Sequence, residues 1–180
     1  MIHKNCIHAS FRQNMQSRAN ILSLLLIILL FSPGCTSDDA VDSTGKIPSF
    51  SVIADDQINY SSESLLGSSY ILHFSASWCN NCRPTIHAID NQLSEQIYII
   101  VSTDAGDSEK LSDWHQQVND SKEGSTVNAP FSVNVELAQL LDIKNTPTLI
   151  LVGNDGRIID RHIGPLTDEG EINEFWNNGE

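Results

Sequence analysis

The sequence predicts an α/β domain in which a central mixed β-sheet is flanked by helices on both faces. Strand-like and helix-like segments alternate after residue 46 in the order β-β-β-α-β-α-α-β-β-α, as expected for a sheet covered by helices. One of the strand segments, residues 97–101 (IYIIV), is apolar throughout, which is typical of a strand buried on both faces. The 146 residues after residue 34 are enough to form one core.

The first five elements are predicted from turn residues and from short apolar runs. A short strand opened by a proline is expected at residues 47–53, a turn at Asp55 and Asp56, and a returning hairpin strand at residues 57–60. Residues 61–67 are expected to form a short helical turn. Residues 70–74 (YILHF) are predicted to form a buried strand that contains one histidine.

The second half of the domain alternates between helical periodicity and apolar strands. Apolar residues recur at helical spacing in residues 80–96 and 108–118, and residues 135–141 form a third predicted helix. Residues 119–130 are predicted to form a loop. A closing hairpin and a last helix are then expected: strands at 148–152 and 157–163, joined by a GNDG turn, and a helix at 171–176.

Charge divides the chain into two parts. The formal net charge is −13 and no basic stripe is present, which argues against nucleic-acid binding. Lys4, Arg12 and Arg18 are the only Lys or Arg residues before residue 35, and all 23 acidic residues come later. The part after residue 34 therefore carries −16. A basic N-terminal segment without acidic residues, followed by a strongly acidic region, is typical of a targeting segment.

The head of the chain resembles a bacterial lipoprotein signal peptide. Residues 21–31 (ILSLLLIILLF) form about 17 Å of helix, which is too short to cross a ~30 Å hydrocarbon core. The SPGC that follows resembles a lipobox, in which Cys35 would be lipidated after removal of residues 1–34. Cleavage without lipidation is the alternative, and Met15 is a second candidate start.

Residues 35–46 are small, polar and acidic and are predicted to form a flexible tether between the membrane and the folded domain. In lipoproteins of Gram-negative bacteria, an Asp directly after the lipidated cysteine resembles an inner-membrane retention signal. This sequence has Thr36 at that position. We therefore expect an exported protein that is anchored by lipid in the cell envelope and faces the periplasm or the exterior. The outer membrane is favoured if the host is Gram-negative.

Cys79 and Cys82 form a C-x-x-C sequence at the junction of a predicted strand and a predicted helix. A cysteine at a helix N-terminus is favoured as a thiolate, the species that attacks disulfides. A structural disulfide is one alternative, although so short a loop constrains the unfolded chain very little. Half of a zinc site with His87 is another, but four ligands are needed, and we predict no metal.

The stretches FSASWCNNCRP and IKNTPTLILVGNDGRII resemble the thioredoxin superfamily. The details are most similar to the exported TlpA-like thiol-disulfide oxidoreductases, a group that includes the reductases of cytochrome c maturation. The resemblance covers residues 47–176. It implies a thioredoxin fold over residues 47–180, with an N-terminal β-hairpin extension and an insertion at residues 104–130, before a segment that contains a cis-proline.

The resemblance also implies roles for individual residues. Cys79 corresponds to the nucleophile and Cys82 to the resolving cysteine, and the two form the redox disulfide. Trp78 corresponds to the aromatic residue beside the site. Pro147 corresponds to the cis-proline that faces the disulfide, with the backbone of Thr146 lying along the substrate.

His73 occupies the position at which thioredoxins have a buried acid. It would serve either as the proton acceptor for Cys82 or as a core histidine with satisfied hydrogen bonds. The Asn80-Asn81 pair between the cysteines matches no subfamily signature. Because this dipeptide tunes the stability of the thiolate, the direction of electron flow stays open.

These observations favour a membrane-tethered thiol-disulfide oxidoreductase that reduces disulfides of client proteins. We expect a membrane electron donor to regenerate its dithiol. We further expect a monomer that needs no cofactor. A disulfide oxidase or isomerase is the first alternative. A thiol-bearing or metal-binding adaptor without turnover is the second.

Overall fold

The computed structural model describes residues 45–121 and 123–179. These residues contain seven strands, four α-helices and one 3-10 turn. Five of the strands form a sheet with helices on both faces, and the other two form a separate hairpin. In chain order, the elements are β1 Ser51–Ile53, β2 Asn59–Ser61, β3 Tyr70–Ser75, α1 Cys82–Gln92, β4 Ile97–Ser102, the 3-10 turn Ala105–Asp107, α2 Leu111–Asp120, β5 Phe131–Val133, α3 Val135–Leu140, β6 Thr148–Val152, β7 Ile158–Ile163 and α4 Glu169–Asn177.

The main sheet has the strand order β5-β4-β3-β6-β7. Strand β3 is parallel to β4, and β4 is parallel to β5, whereas β6 runs antiparallel to both β3 and β7. This arrangement confirms the predicted mixed sheet and the thioredoxin fold. The hairpin of β1 and β2 forms the predicted N-terminal extension.

Two apolar clusters cover the two faces of the sheet. Successive side chains of a strand point to opposite faces, so Ile71 belongs to one cluster while Tyr70 and Leu72 belong to the other. Helices α1, α2 and α4 pack on the first face, and α3 packs on the second together with the segment around β1. The sheet is therefore buried on both faces, as the apolar sequence of β4 predicts.

Several elements differ in extent from the sequence prediction, and one strand was not predicted. Strand β5 follows directly after the predicted loop of residues 119–130, where the sequence predicts no element, because three residues are too few to show a period. Helix α1 ends at Gln92 rather than 96, since Leu93 packs into the core from the C-cap position and thereby extends the apolar pattern beyond the helix. Ser61 ends β2, and residues 62–67 form the expected helical turn, in which the Leu65 N–H donates to the Ser61 carbonyl at 3.1 Å.

Within residues 45–121 and 123–179, no helix is long and apolar enough to cross a membrane. The predicted signal peptide of residues 1–34, the lipidation site Cys35 and the tether up to residue 44 lie outside the described residues.

Candidate active site

The cysteine pair lies where β3 leads into α1. Strand β3 ends at Ser75, and a turn in which the Cys79 N–H donates to the Ala76 carbonyl (2.9 Å) carries the chain to the helix. The Cys82 N–H donates to the Cys79 carbonyl (3.1 Å) and begins the helix. The two cysteines are joined by a disulfide, with their Cα atoms 5.4 Å apart.

The helix terminus favours negative charge on the first cysteine. No side chain caps the N-terminus of α1 and no acidic residue lies in its first turn, so its free N–H groups are left to interact with a neighbouring anion. Arg83 adds a positive charge in that turn. Cys82 is 1% exposed and Cys79 is 6% exposed, so Cys79 is the more accessible of the two sulfur-bearing residues.

Trp78 lies exposed directly before the first cysteine. Its exposed fraction is 64%, yet its indole Nε1–H donates to the Asp104 carboxylate at 3.1 Å. Asp104 follows β4, the parallel neighbour of β3, and its carboxylate also caps the 3-10 turn by accepting from the Gly106 N–H. The orientation of the exposed indole is therefore set by the insertion.

A second acid of the insertion fixes the residue before Trp78. Asp107 is buried and accepts hydrogen bonds from the backbone N–H (3.1 Å) and hydroxyl (2.7 Å) of Ser77 and from the Ser102 hydroxyl. The sequence indicates only loop-capping roles for these two acids. Their contact with the residues after β3 is nevertheless predictable, because side chains that follow adjacent parallel strands meet at one edge of the sheet.

The Thr146–Pro147 peptide bond is cis, as the resemblance implies. Pro147 directly precedes β6, and the first residue of β6, Thr148, pairs with Phe74 near the end of β3. The backbone thus brings the cis-proline to the same end of the sheet as the cysteines. The Pro147 carbonyl accepts from Gly164 N–H (2.9 Å), which ties this segment to the end of β7.

His73 is buried completely in the middle of β3. Its neighbours Leu72 and Phe74 belong to the cluster on the opposite face, so its ring points to the face that carries Cys79 and Cys82. Burial lowers the pKa of His73 to about 3, so the imidazole is neutral at neutral pH.

Tyr98, which no local sequence pattern indicates, is the hydrogen-bond partner of His73. Its hydroxyl lies 2.5 Å from Nδ1 of His73, and the two rings stack. Burial, together with the charge of Asp90, raises the pKa of Tyr98 well above its usual value, so the hydroxyl keeps its proton. Nε2 of His73 has no hydrogen-bond partner among the described residues.

His87, the third residue of the zinc alternative, takes part in a different set of contacts. Its Nδ1 lies 2.9 Å from the Ser125 carbonyl and its Nε2 lies 3.0 Å from the Val118 carbonyl, so the ring holds the insertion against α1. No group of three or more His, Cys, Asp or Glu side chains in the described part of the chain is placed to hold a metal.

Comparisons with known proteins agree with this architecture. The family model of the thioredoxin-like domain matches residues 64–177. No curated protein is similar enough to match the chain.

Solved structures with the same fold include three bacterial proteins. The exposed lipoprotein thioredoxin of Streptococcus pneumoniae is 20% identical, with 72% of this chain and 98% of that one covered and a TM-score of 0.57. A thiol:disulfide interchange protein of Chlorobium tepidum is 19% identical (74% and 94% covered, TM-score 0.58), and StoA of Bacillus subtilis is 20% identical (76% and 99% covered, TM-score 0.55). At these identities the likeness shows the fold.

Proposed function

The chain belongs to the thioredoxin-like family, and from this premise we propose that it is a thiol-disulfide oxidoreductase that exchanges disulfides with client proteins. The observation that carries the proposal is the Cys79–Cys82 pair at the uncapped N-terminus of α1. The site combines a reversible disulfide with a helix terminus that stabilises the attacking thiolate.

In the proposed reaction, the reduced protein attacks a client disulfide in two steps. The Cys79 thiolate forms a bond with one client sulfur, and the client disulfide breaks to release the other sulfur as a thiolate. The Cys82 thiolate then attacks the Cys79 sulfur, which closes the Cys79–Cys82 disulfide and releases the second client thiolate. Two electrons pass to the client, and the two client thiolates take up protons from solvent or from the two cysteines.

The cis-proline segment is proposed to hold the client. Thr146 is half-buried at the end of the sheet that bears the cysteines, and Pro147 has no N–H to compete for the sulfurs. The backbone of Thr146 would form short strand-like hydrogen bonds with the client segment beside its cysteine.

His73 is proposed to assist the second step. When its Nδ1–H donates to the Tyr98 oxygen, Nε2 is left as a hydrogen-bond acceptor on the face that carries Cys82. A pKa of about 3 means that the ring receives the thiol proton only transiently. Replacing His73 by Gln is expected to slow closure of the Cys79–Cys82 bond more than formation of the mixed disulfide, as measured by quenched-flow alkylation.

We favour reduction of clients over oxidation. Two carboxylates, Asp104 and Asp107, contact the two residues before Cys79, and negative charge near a thiolate makes the reduced form less stable. A reduction potential near −270 mV would support the reductase, whereas a value near −120 mV would support the oxidase alternative, both on the scale of known thiol-disulfide proteins.

Export and lipid anchoring remain part of the proposal. They are supported by the basic head, the apolar run of residues 21–31 and Cys35 in the SPGC sequence. One similar protein is an exposed lipoprotein thioredoxin. A membrane electron donor is then required to return two electrons to the disulfide. Metabolic labelling with palmitate in a bacterial host should label the wild type and not Cys35→Ser; equal labelling would contradict the anchor.

Insulin reduction with dithiothreitol as electron source tests the activity. The wild type is expected to accelerate precipitation of the insulin B chain, while Cys79→Ser should leave only the uncatalysed rate. Asp113→Asn, a change of an exposed residue on α2, serves as the control and should retain wild-type activity. A wild type at the uncatalysed rate, together with metal retained stoichiometrically after purification, would favour the adaptor alternative.

A further inference from the structure

Trp78, which directly precedes Cys79 in the chain, exposes an apolar indole face. Its exposed fraction is 64%, although its Nε1–H forms a side-chain hydrogen bond with Asp104. The bond to Asp104 fixes the edge of the ring, so the face remains open and the carboxylate stands beside it. Because Trp78 directly precedes Cys79, the pair lies next to the cysteine that a client disulfide approaches.

The Asp104 carboxylate is positioned without any help from a client. Oδ1 accepts from the Gly106 N–H at 2.8 Å and Oδ2 accepts from Trp78 at 3.1 Å. The backbone of Asp104 is held as well, because its N–H donates to the Ser102 hydroxyl at 3.0 Å. Each carboxylate oxygen can accept a further hydrogen bond, so the group has capacity left for a donor from outside.

An indole face with a carboxylate at its edge is complementary to a cation on a hydrocarbon stem. The ring attracts a cation through its quadrupole, the stem of a lysine or arginine covers the ring, and the carboxylate pairs with the charged head. The charge of −16 on the chain after residue 34 attracts basic segments over a longer range.

We propose that Trp78 and Asp104 together form a recognition site for a lysine or arginine side chain next to the client's reactive cysteine. The proposal rests on the proposed function and adds to it a class of preferred client. Trp78 would supply the contact surface, and Asp104 would both orient the ring and receive the charge. An acidic side chain at the same client position would be repelled.

The test compares three synthetic peptides that differ at one position. Each contains a single disulfide, and the residue next to one cysteine is Lys, Gln or Glu. The full-length protein in its dithiol form reduces each peptide, and chromatography gives the rate constants. The Lys peptide is expected to react about two- to fivefold faster than the Gln peptide, as for an exposed cation–π contact, and the Glu peptide more slowly than either.

Two substitutions that each remove one negative charge distinguish a local binding site from general electrostatic attraction. Asp104→Asn and Asp113→Asn remove the same charge, but only Asp104 contacts Trp78. Asp104→Asn should lower the Lys-to-Glu rate ratio, Trp78→Leu should lower it further, and Asp113→Asn should leave it at the wild-type value. The ratio within one variant is independent of that variant's thiolate pKa.

Equal rates for the Lys and Glu peptides in the wild type would overturn the recognition site while leaving the oxidoreductase intact. An equal loss of the ratio in Asp104→Asn and Asp113→Asn would also overturn it, because general charge would then explain the preference. If no peptide is reduced, including the neutral Gln peptide, the proposed function itself fails and this inference fails with it.

Discussion

Asp104 and Asp107 each bind one of the two residues that precede Cys79. They come from the connection after β4 and contact Trp78 and Ser77 through side-chain oxygens. The contacts fix the two residues before Cys79, and they also place negative charge beside these residues. The N-terminus of α1 and Arg83 have the opposite electrostatic effect. The stability of the thiolate is set by the balance of these groups.

The effect of Asp104 on this balance is measurable. Asp104→Asn should make the reduction potential less negative, because a neutral amide no longer opposes the negative charge of the thiolate. We expect a change of less than about 30 mV, which corresponds to a factor of ten in the exchange equilibrium. Equilibration with glutathione buffers measures the potential. Asp113→Asn should leave it unchanged, and a more negative potential in Asp104→Asn would contradict the account.

His73 makes folding stability sensitive to acid. Burial lowers its pKa to about 3 in the folded state, whereas an unfolded histidine titrates near 6.5. Between these values the unfolded chain binds more protons, so stability falls as the pH decreases through this window. The loss attributable to His73 reaches at most about 1.4 kcal/mol per pH unit.

Replacing His73 by Gln should remove this part of the acid sensitivity. Urea denaturation at pH 7 and pH 4.5 should show a smaller loss of unfolding free energy for His73→Gln than for the wild type. Tyr98→Phe removes the partner hydroxyl but keeps the titrating ring, so it should lose stability with acid as the wild type does. The ring resonances of His73 should also stay unchanged between pH 8 and 5. A shift of these resonances in that range would contradict a buried neutral ring.

The sequence predicts some site residues well and others not at all, for a physical reason. Cys79, Cys82 and Trp78 are adjacent, so their chemistry is visible as a local pattern. Tyr98 and Asp104 reach the site from 25 or 26 residues away, through the pairing of β3 with β4. No local spacing encodes such contacts, although the rule that ends of parallel strands meet would have pointed to Asp104.

At the scale of elements, two histidines fasten the insertion of residues 104–130 to its surroundings. His115 on α2 lies 2.6 Å from the Asp55 carboxylate through Nδ1 and 2.9 Å from the Val127 carbonyl through Nε2, and its ring stacks on Phe131. His87 joins α1 to the end of α2 and to the following loop. The insertion that carries Asp104 and Asp107 is therefore attached on two sides.

Asp55 is the centre of the first attachment. Its other carboxylate oxygen accepts from the Phe131 N–H at 2.8 Å, so one side chain joins the β1–β2 hairpin, α2 and β5. Asp55→Asn replaces an acceptor oxygen by a donor group and should lower the free energy of unfolding by about 1–3 kcal/mol. Urea denaturation at pH 7 measures it.

Glu123→Gln provides the matched control, because it removes the same charge from an exposed position of the insertion. It should change the free energy of unfolding by less than about 0.5 kcal/mol. Equal effects of the two substitutions would mean that Asp55 stabilises only through its charge and not through the two hydrogen bonds.

Long elements follow from the sequence, and short ones depend on pairing. The apolar run of β4 and the helical spacing in α1 are sufficient to predict those elements. Strand β5 has three residues and exists because Phe131 to Val133 pair with β4. Its formation is a tertiary effect, so the sequence predicts only a loop at residues 119–130 and no strand after it.

At the scale of the whole molecule, the charge is distributed unevenly along the chain. Residues 1–34 carry three Lys or Arg residues and no acidic residue, whereas the rest of the chain carries a net charge of −16. The described part of that chain is a thioredoxin fold with both sheet faces covered and the cysteine pair at one end of the sheet. Fold class is predicted correctly because alternation, length and apolar strands all point to one architecture. The attachments between distant segments depend on the fold and are visible only in the structure.

Trapping of the mixed disulfide tests the central claim, that Cys79 is the nucleophile in exchange with clients and Cys82 resolves the product. The reduced full-length Cys82→Ala protein is mixed with a peptide that contains one disulfide, and the adduct is located by mass spectrometry after digestion. We predict a stable adduct on Cys79 in Cys82→Ala, no adduct in a Cys79→Ala, Cys82→Ala double variant, and only transient adduct in the wild type. The double variant keeps Cys6 and Cys35 of the full-length sequence and therefore controls for any reaction at these two cysteines. An adduct on another cysteine, or none on Cys79, would contradict the account.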